Sequence, residues 1–262
     1  MKINRIQKIR ELLEDNHSIS INTLCDTFNV SKYTIRRDIN ELEKTGFLKK
    51  VYGGIVLQEQ EHNSPEPFSL RESRNVQAKK KIAHIAASQV QDGDIIYIDS
   101  GTTTMHMLPF LVKRQHLTIV TASVYVINAA AALNQFNIIS TGGALYMPSM
   151  AFVGPTVLDN LKHYNISKAF MASTGVSIEH GITNASPLES EIKRSLIQKA
   201  SKKFLLADTS KLDVASLISY CDLKDLDCVI MEKTPPARYI EYLDQNHVTL
   251  LTKDSSPMSD LR

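Results

Sequence analysis

The sequence predicts an α/β protein in two unequal parts, a winged helix-turn-helix domain over residues 1–57 and a larger α/β domain with a mostly parallel sheet over residues 76–262. Three observations carry that prediction. The chain has 262 residues, more than the roughly 150 that one domain commonly takes. Its charge is unevenly laid: residues 1–57 hold ten Lys or Arg against seven acids, a net of +3, while the whole chain stands at +2. The hydrophobic period also changes, from helical spacing closed by a glycine turn to helical stretches alternating with short β-rich runs.

Composition narrows the class further. Hydrophobic residues at 43% and charged residues at 22% fit a globular protein and exclude fibrous, disordered and membrane classes. No run of about 18 apolar residues occurs, and the first residues, MKINRIQKIRELLED, alternate charged and apolar groups where a secretory leader needs an unbroken apolar stretch. A cytoplasmic location is therefore expected. Cys25, Cys221 and Cys228 are odd in number and show no C-x-x-C spacing, so they read as reduced core thiols, neither a disulfide framework nor a zinc site. The eight histidines show no i, i+4 pair, and no metal or cofactor is expected.

In the first part, Ile6, Ile9, Leu12 and Leu13 form one helical stripe. Ser20 can cap a second helix whose Ile21, Leu24, Cys25 and Phe28 share a face, and after a turn at Asn29-Val30 Ser31 can cap a third carrying Ile35, Ile39 and Leu42. This is helix-turn-helix spacing. With the third helix's apolar stripe inward, Ser31, Lys32, Tyr33, Thr34, Arg36 and Arg37 fall on the half that meets double-stranded DNA. Arg36 and Arg37 differ by about 100° around the axis, so one is expected to read a base and the other to hold a phosphate. Gly46 is a plausible C-cap, and Lys49, Lys50, Tyr52 and the Gly53-Gly54 turn read as a basic hairpin, the wing. Residues 58–75, with two prolines and no sustained period, are read as a linker.

The second part has β-rich runs at 95–99, 117–121, 137–141, 169–173, 203–207, 228–231 and 248–251, separated by helical patterns, which predicts βαβ units. Ligands bind at the carboxyl ends of such strands, so the residues that follow each run are the site candidates. Asp99-Ser100-Gly101-Thr102-Thr103 has the hydroxyls and the open backbone of a phosphate cradle, followed by an apolar helix from about Met105. A plain helix cap satisfies the same pattern. Thr141-Gly142-Gly143 also follows a strand, with Phe152-Val153-Gly154-Pro155 after it, and in isolation both read as ordinary turns; Ser173-Thr174-Gly175 follows another strand and precedes His180 and a helix bearing Glu189, Glu191 and Lys193. Asp208 and Lys211 leave a strand end together and could orient a sugar hydroxyl and a phosphate, or be a loop cap and a solvated lysine.

Two groups of motifs carry a resemblance. Val30-Ser31-Lys32-Tyr33-Thr34-Ile35-Arg36-Arg37-Asp38-Ile39, Leu42-Glu43, Gly46 and Lys50-Val51-Tyr52-Gly53-Gly54 resemble the DNA-binding signature of the DeoR family of bacterial transcriptional regulators. The strand-end motifs, in order, resemble that family's effector-binding half, so the likeness runs from residue 1 to about 251. Tyr52 stands where many members have His, Ala122 where Asn is frequent, and Leu212-Asp213 where Phe-Gly is usual. The stretches around Lys50–Gly54, Tyr164–Met171 and His180–Asn184 are similar to inositol-catabolism repressors within the family.

The resemblance implies a Rossmann-like second domain similar to sugar-phosphate isomerases. It implies an effector site at Asp99, Ser100, Gly101, Thr102, Thr103, Gly142, Gly143, Gly175, Asp208 and Lys211. The function it implies is that of a homo-oligomeric repressor, dimer or tetramer, of a carbohydrate-catabolism operon, released from its operator by a phosphorylated sugar. An isomerase-like enzyme using Asp99, Glu189, Asp208 or Lys211 and a transcriptional activator are the alternatives. Asp38 would repel DNA and is expected to pair with a neighbouring arginine.

Overall fold

The structure is a computed structural model and describes residues 2–44, 47–57 and 66–253. Gly46 lies outside these, as do residues 58–65 of the expected linker. The chain divides into two compact units, Met1–Glu61 and His62–Arg262. No helix among the described residues is long and apolar enough to cross a membrane.

The first unit runs α1 (Lys2–Asn16), β1 (Ser18–Ser20), α2 (Ile21–Phe28), α3 (Lys32–Lys44), β2 (Leu48–Val51) and β3 (Gly54–Leu57). Both expected caps form: Ser20 Oγ accepts the Thr23 N–H at 3.0 Å and Ser31 Oγ that of Thr34 at 3.4 Å. Each satisfies one of the N–H groups a helix start leaves open. Asn29 closes α2 at a φ of +48°, the left-handed conformation that lets Val30 N bond back to Cys25 O. Ile9, Leu13, Leu24, Ile35, Ile39, Leu42, Phe47, Leu48 and Ile55 make the core. The sequence reading missed β1, whose three residues pair with β3 on the side opposite β2. Gly54 permits that pairing, because a Cβ there would stand 2.6 Å from Ile19 O.

The second unit runs α4 (Phe68–Glu72), α5 (Val76–Ser88), β4 (Ile95–Ile98), α6 (Thr102–Met105), α7 (Leu108–Leu111), β5 (Thr118–Thr121), α8 (Val124–Leu133), β6 (Asn137–Ser140), β7 (Ala144–Tyr146), β8 (Ala151–Val153), α9 (Pro155–Leu161), β9 (Lys168–Met171), β10 (Gly175–Ser177), β11 (Gly181–Asn184), α10 (Pro187–Lys199), β12 (Lys202–Leu206), β13 (Ile218–Cys221), β14 (Cys228–Ile230), α11 (Ala237–Gln245) and β15 (Thr249–Leu251). The seven predicted runs become the seven strands of one parallel sheet, in the order β15-β14-β12-β9-β4-β5-β6. Both faces are buried, as a parallel sheet requires. Tyr97, Val120, Met171, Leu205 and Val229 feed one core, and Ile96, Ile98, Ile119, Phe170 and Leu206 the other.

Three expectations are corrected. Residues 66–75 are not an open linker: Phe68 is buried and stacked on Tyr125 at 3.9 Å, its N–H bonds Pro148 O, and Arg74 grips Glu66 with 2.8 and 2.9 Å contacts. Buried Phe68 and Leu70 dock a segment whose average composition is polar. The helix after Gly101 begins at Thr102, three residues earlier than Met105, because Thr104 Oγ1 donates to Asp99 O and Gly101 O at 2.7 and 2.8 Å and ties the first turn to the strand end. The antiparallel sheet β10-β11-β13 and the hairpin β7-β8 were missed: β10, β11 and β13 mix polar and apolar residues, and β7 and β8 are three-residue strands on either side of a turn.

Candidate functional site

On the first unit, α3 and the wing present one set of cations to solvent. Lys32, Arg36, Arg37, Lys49 and Lys50 are all exposed, with Tyr33 77% exposed and Tyr52 fully so at the wing's tip. Gly53 makes that tip with a φ of +79°, a conformation that costs glycine nothing. Ser31 and Thr34 cap the helix, their hydroxyls 3.1 Å apart, and Lys50 pairs with Glu43. Asp38 is fully buried and accepts a 2.6 Å bond from Arg5 Nε, so the expected pairing is made by an arginine of α1 instead of Arg36 or Arg37. The cations of α3 are thereby left to face outward.

In the second unit the chain leaves β4 toward β5 and β6, then returns through β9 to β12, β14 and β15 on the other side. The reversal between β4 and β9 is a topological switch point, the place at the carboxyl ends of the strands where sheets of this kind bind ligands. Asp99 follows β4, Ala172 and Ser173 follow β9, and Asp208 follows β12, so these three adjacent strands deliver their first loop residues to one place. Asp99 Oδ1 accepts from Ser100 N and Oδ2 from Ala172 N across the switch point, both at 2.8 Å. Oδ2 also takes the buried Lys193 ammonium from α10. Lys193 donates to Ala172 O at 3.0 Å and stands 5.6 Å over the Tyr220 ring.

Around this pair the other expected positions divide. Ser100 Oγ donates to Glu189 Oε1 at 3.0 Å, and Thr102 and Thr103 are buried in the turn that follows. Gly101 is needed for packing, because its Cβ would lie 2.3 Å from that of Ala172. Asp208 caps the short turn Thr209–Lys211, accepting from Ser210 N at 3.1 Å and from Asn75 Nδ2 at 3.2 Å. Lys211 is not a solvated lysine: its ammonium reaches back to Ser173 O. Gly175 accommodates the chain at Val214, whose carbonyl oxygen a Cβ would approach to 2.2 Å. Gly142 and Gly143 follow the edge strand β6, two strands from β4, where φ values of +62° and +109° turn the chain toward β7. The structure thus brings Asp99, Ser100, Asp208 and Lys211 together and leaves the Gly142-Gly143 turn apart.

Residues not expected from sequence complete the cluster. Lys79, buried on the apolar stripe of α5, donates to Arg71 O. Burial pushes its ammonium down to about 7, helped by the charge of Lys211 and opposed by Asp208. Burial likewise takes Lys211 down to about 8, with Asp208 opposing and Arg71 and Lys193 adding. Arg71, from α4, is also held below its ordinary value by burial, against the pull of Glu189, Glu66 and Asp99. Four cations, Arg71, Lys79, Lys193 and Lys211, therefore crowd the carboxylates of Asp99, Glu189 and Asp208, with the Arg74–Glu66 pair beside them. The Ser173 hydroxyl and the Asn184 amide nitrogen are buried there without a partner. Asn184 Oδ1 is already engaged by Thr174 Oγ1 and Ala185 N, both at 3.0 Å, so its spare hydrogens await an acceptor. One signal was readable in advance: a lysine on the buried stripe of an amphipathic helix, as Lys79 is between Val76 and Ile82-Ala83, needs a polar reason to be there.

Comparison with known proteins gives concordant results. The family model for the DeoR C-terminal sensor domain matches residues 74–233, and that for the DeoR-like helix-turn-helix domain matches residues 5–61. The HTH-type transcriptional regulator IolR of Bacillus subtilis is 39% identical over 251 residues, 95% of this chain and 98% of that protein. The HTH-type transcriptional repressor GlcR of the same organism is 30% identical over 256 residues, 98% of each. Among solved structures, ribose 5-phosphate isomerase A from Methanocaldococcus jannaschii aligns with a TM-score of 0.40 at 18% identity, covering 53% of this chain and 55% of that one.

Proposed function

The chain belongs to the DeoR family of transcriptional regulators, with a DNA-binding helix-turn-helix and a sensor domain, and from that premise we propose that it represses a carbohydrate-catabolism operon and is released from its operator by a phosphorylated sugar. Its curated relatives are named as regulators and repressors, and it is a regulator, not an enzyme. In this reading α3 enters the major groove with Lys32, Tyr33, Arg36 and Arg37, and the wing follows the backbone with Lys49, Lys50, Tyr52 and Gly53. Ser31 and Thr34 set the helix start. A dimer or tetramer would place paired copies on repeated half-sites.

The observation that carries the effector assignment is the gathering of Arg71, Lys79, Lys193 and Lys211 at the switch point, two of them buried and two half-buried. Burying cations disfavours their charged forms, as the lowered values of Lys79 and Lys211 record, and a phosphate dianion restores them. Asp99 and Ser100 to Thr103 fix the crevice, while Asp208, Ser173 and Asn184 face the sugar's oxygens. Effector binding that favours the DNA-incompetent state by about 1 to 3 kcal/mol lowers operator affinity roughly 5- to 150-fold.

A thermal-shift screen with pentose and hexose phosphates tests this reading, because a ligand of the folded state raises the melting temperature. At least one sugar phosphate should stabilise the wild type, and the shift should shrink for Lys211→Ala and Thr102→Ala. Absence of any shift across the panel would remove the sensor assignment.

A further inference from the structure

Arg71 lies in the stretch 62–73, between the two segments that the family models match. It is nonetheless built into the switch-point cluster. Its backbone carbonyl takes the Lys79 ammonium, and its guanidinium is opposed by the charges of Glu189 and Asp99. Only Nε is bonded, to Glu66 O at 3.0 Å, so neither terminal nitrogen of the guanidinium fork has a hydrogen-bond partner among the described residues. A guanidinium keeps its proton under all ordinary conditions, so it cannot escape burial by becoming neutral as a lysine does. Its two open nitrogens are spaced to take two oxygens of one phosphate group.

The rest of α4 is docked by packing and local contacts: Phe68 and Leu70 are buried, and the Arg71 guanidinium stands 5.6 Å over the Phe68 ring. Phe68 stacks on Tyr125, its N–H bonds Pro148 O, and Arg74 pairs with Glu66 inside the same short segment. Arg71 is therefore the residue through which an anion in the crevice can hold this segment, the one that leads out of the DNA-binding unit in sequence.

Resting on the effector-site reading above, we propose that Arg71 binds the effector's phosphate monoester directly and that α4 is the element whose ordering reports occupancy of the crevice. Lys79, Lys193 and Lys211 supply charge to the ligand. Arg71 is the one of the four that belongs to the segment preceding α5, which Lys79 reaches only at the Arg71 carbonyl.

Hydrogen–deuterium exchange of the full chain over residues 66–75 tests this, with the panel member that gives the largest thermal shift and, separately, inorganic phosphate. In the wild type the sugar phosphate should slow exchange of this segment at least tenfold, and inorganic phosphate should do so at higher concentration if the monoester oxygens are what Arg71 recognises. Arg71→Gln should weaken binding about tenfold or more, and saturating ligand should then leave 66–75 exchanging as in the free protein. Lys211→Gln should also weaken binding, yet saturation should restore the protection. Arg71→Lys, which keeps the charge and loses the fork, guards against a folding defect and should bind with protection incomplete. Full protection of 66–75 in ligand-saturated Arg71→Gln would overturn the proposal and leave the effector site standing. A wild type that binds no phosphorylated compound would overturn both.

Discussion

The two units use the same side chains under opposite conditions. On α3 and the wing, Lys32, Arg36, Arg37, Lys49 and Lys50 are exposed, and exposed cations attract a polyanion by releasing the counterions it had condensed. At the switch point Lys79 and Lys193 are buried, Lys211 and Arg71 are half-buried, and each cation is held by named carbonyls or carboxylates. The surface set works collectively and tolerates repositioning. The buried set is fixed by its partners, and its desolvation is the reason an unpaired state is costly. A whole-chain net charge of +2 hides both arrangements, because it neither separates the units nor registers burial.

That contrast can be broken at three points. The largest effect should follow Asp99→Ala, which strands the Lys193 ammonium and frees the Ala172 N–H: about 3 to 5 kcal/mol of stability should be lost, the usual cost of halving a buried pair. Chemical denaturation checks it, and a loss below about 1 kcal/mol would mean the pair is wetter than its burial implies. Next, Arg36→Ala with Arg37→Ala should cost about 2 to 4 kcal/mol of operator affinity and flatten the salt dependence, with stability unchanged. Fluorescence anisotropy titrations at several salt concentrations measure both quantities. An unaltered slope would mean that neither residue touches phosphate.

The smallest effect is the most specific to the buried set. Lys79 and Lys211 have folded values of about 7 and about 8, below the ordinary 10.5, so between these values and 10.5 the unfolded chain holds protons that the folded chain has lost. The destabilising contribution is complete below about pH 7, and the ligand-free protein should gain stability as pH rises from there toward 10.5. A bound phosphate favours the charged ammoniums, so affinity should fall as pH rises through 7 to 8 and binding near pH 8 should take up protons. Calorimetry in two buffers of different ionisation enthalpy shows the uptake directly. Equal apparent enthalpies would mean that the two lysines stay charged in the empty crevice.

Much of this was legible in advance where local pattern and tertiary role coincide. The seven sheet strands announce themselves as apolar runs because both faces of a parallel sheet are buried, and the wing announces itself through Lys49, Lys50 and Gly53. The crevice was legible only in part. Ser100, Asp208 and Lys211 follow strands and could be found by position, but Arg71 sits in a Pro-flanked polar stretch that average composition reads as linker. Its place is decided by Phe68 against Tyr125, a contact between residues far apart in sequence that no window spans. Lys193 was visible as a helix residue, yet its burial depends on Asp99. The strands β10, β11 and β13 are similarly set by neighbours: a bulge between Ile182 and Thr183 interrupts the register of β11 with β13.

The order of strands has a consequence for how the protein is made. β4 pairs β5 across a short connection, whereas Tyr97 meets Ala169 of β9 only after β5, β6, the β7-β8 hairpin and α9 have been synthesised. Joining distant segments carries a larger loop-closure entropy than joining near ones, so the β4–β9 seam should be among the late steps of folding. The crevice lies on that seam. With the effector bound there as proposed, a nascent or half-folded chain would not respond to it, and it would act as a signal only on molecules whose folding is complete. Pulse-labelling exchange during refolding should find the amides of Ala169 to Met171 protected after those of Ile119 and Val120; the reverse order would place the seam early.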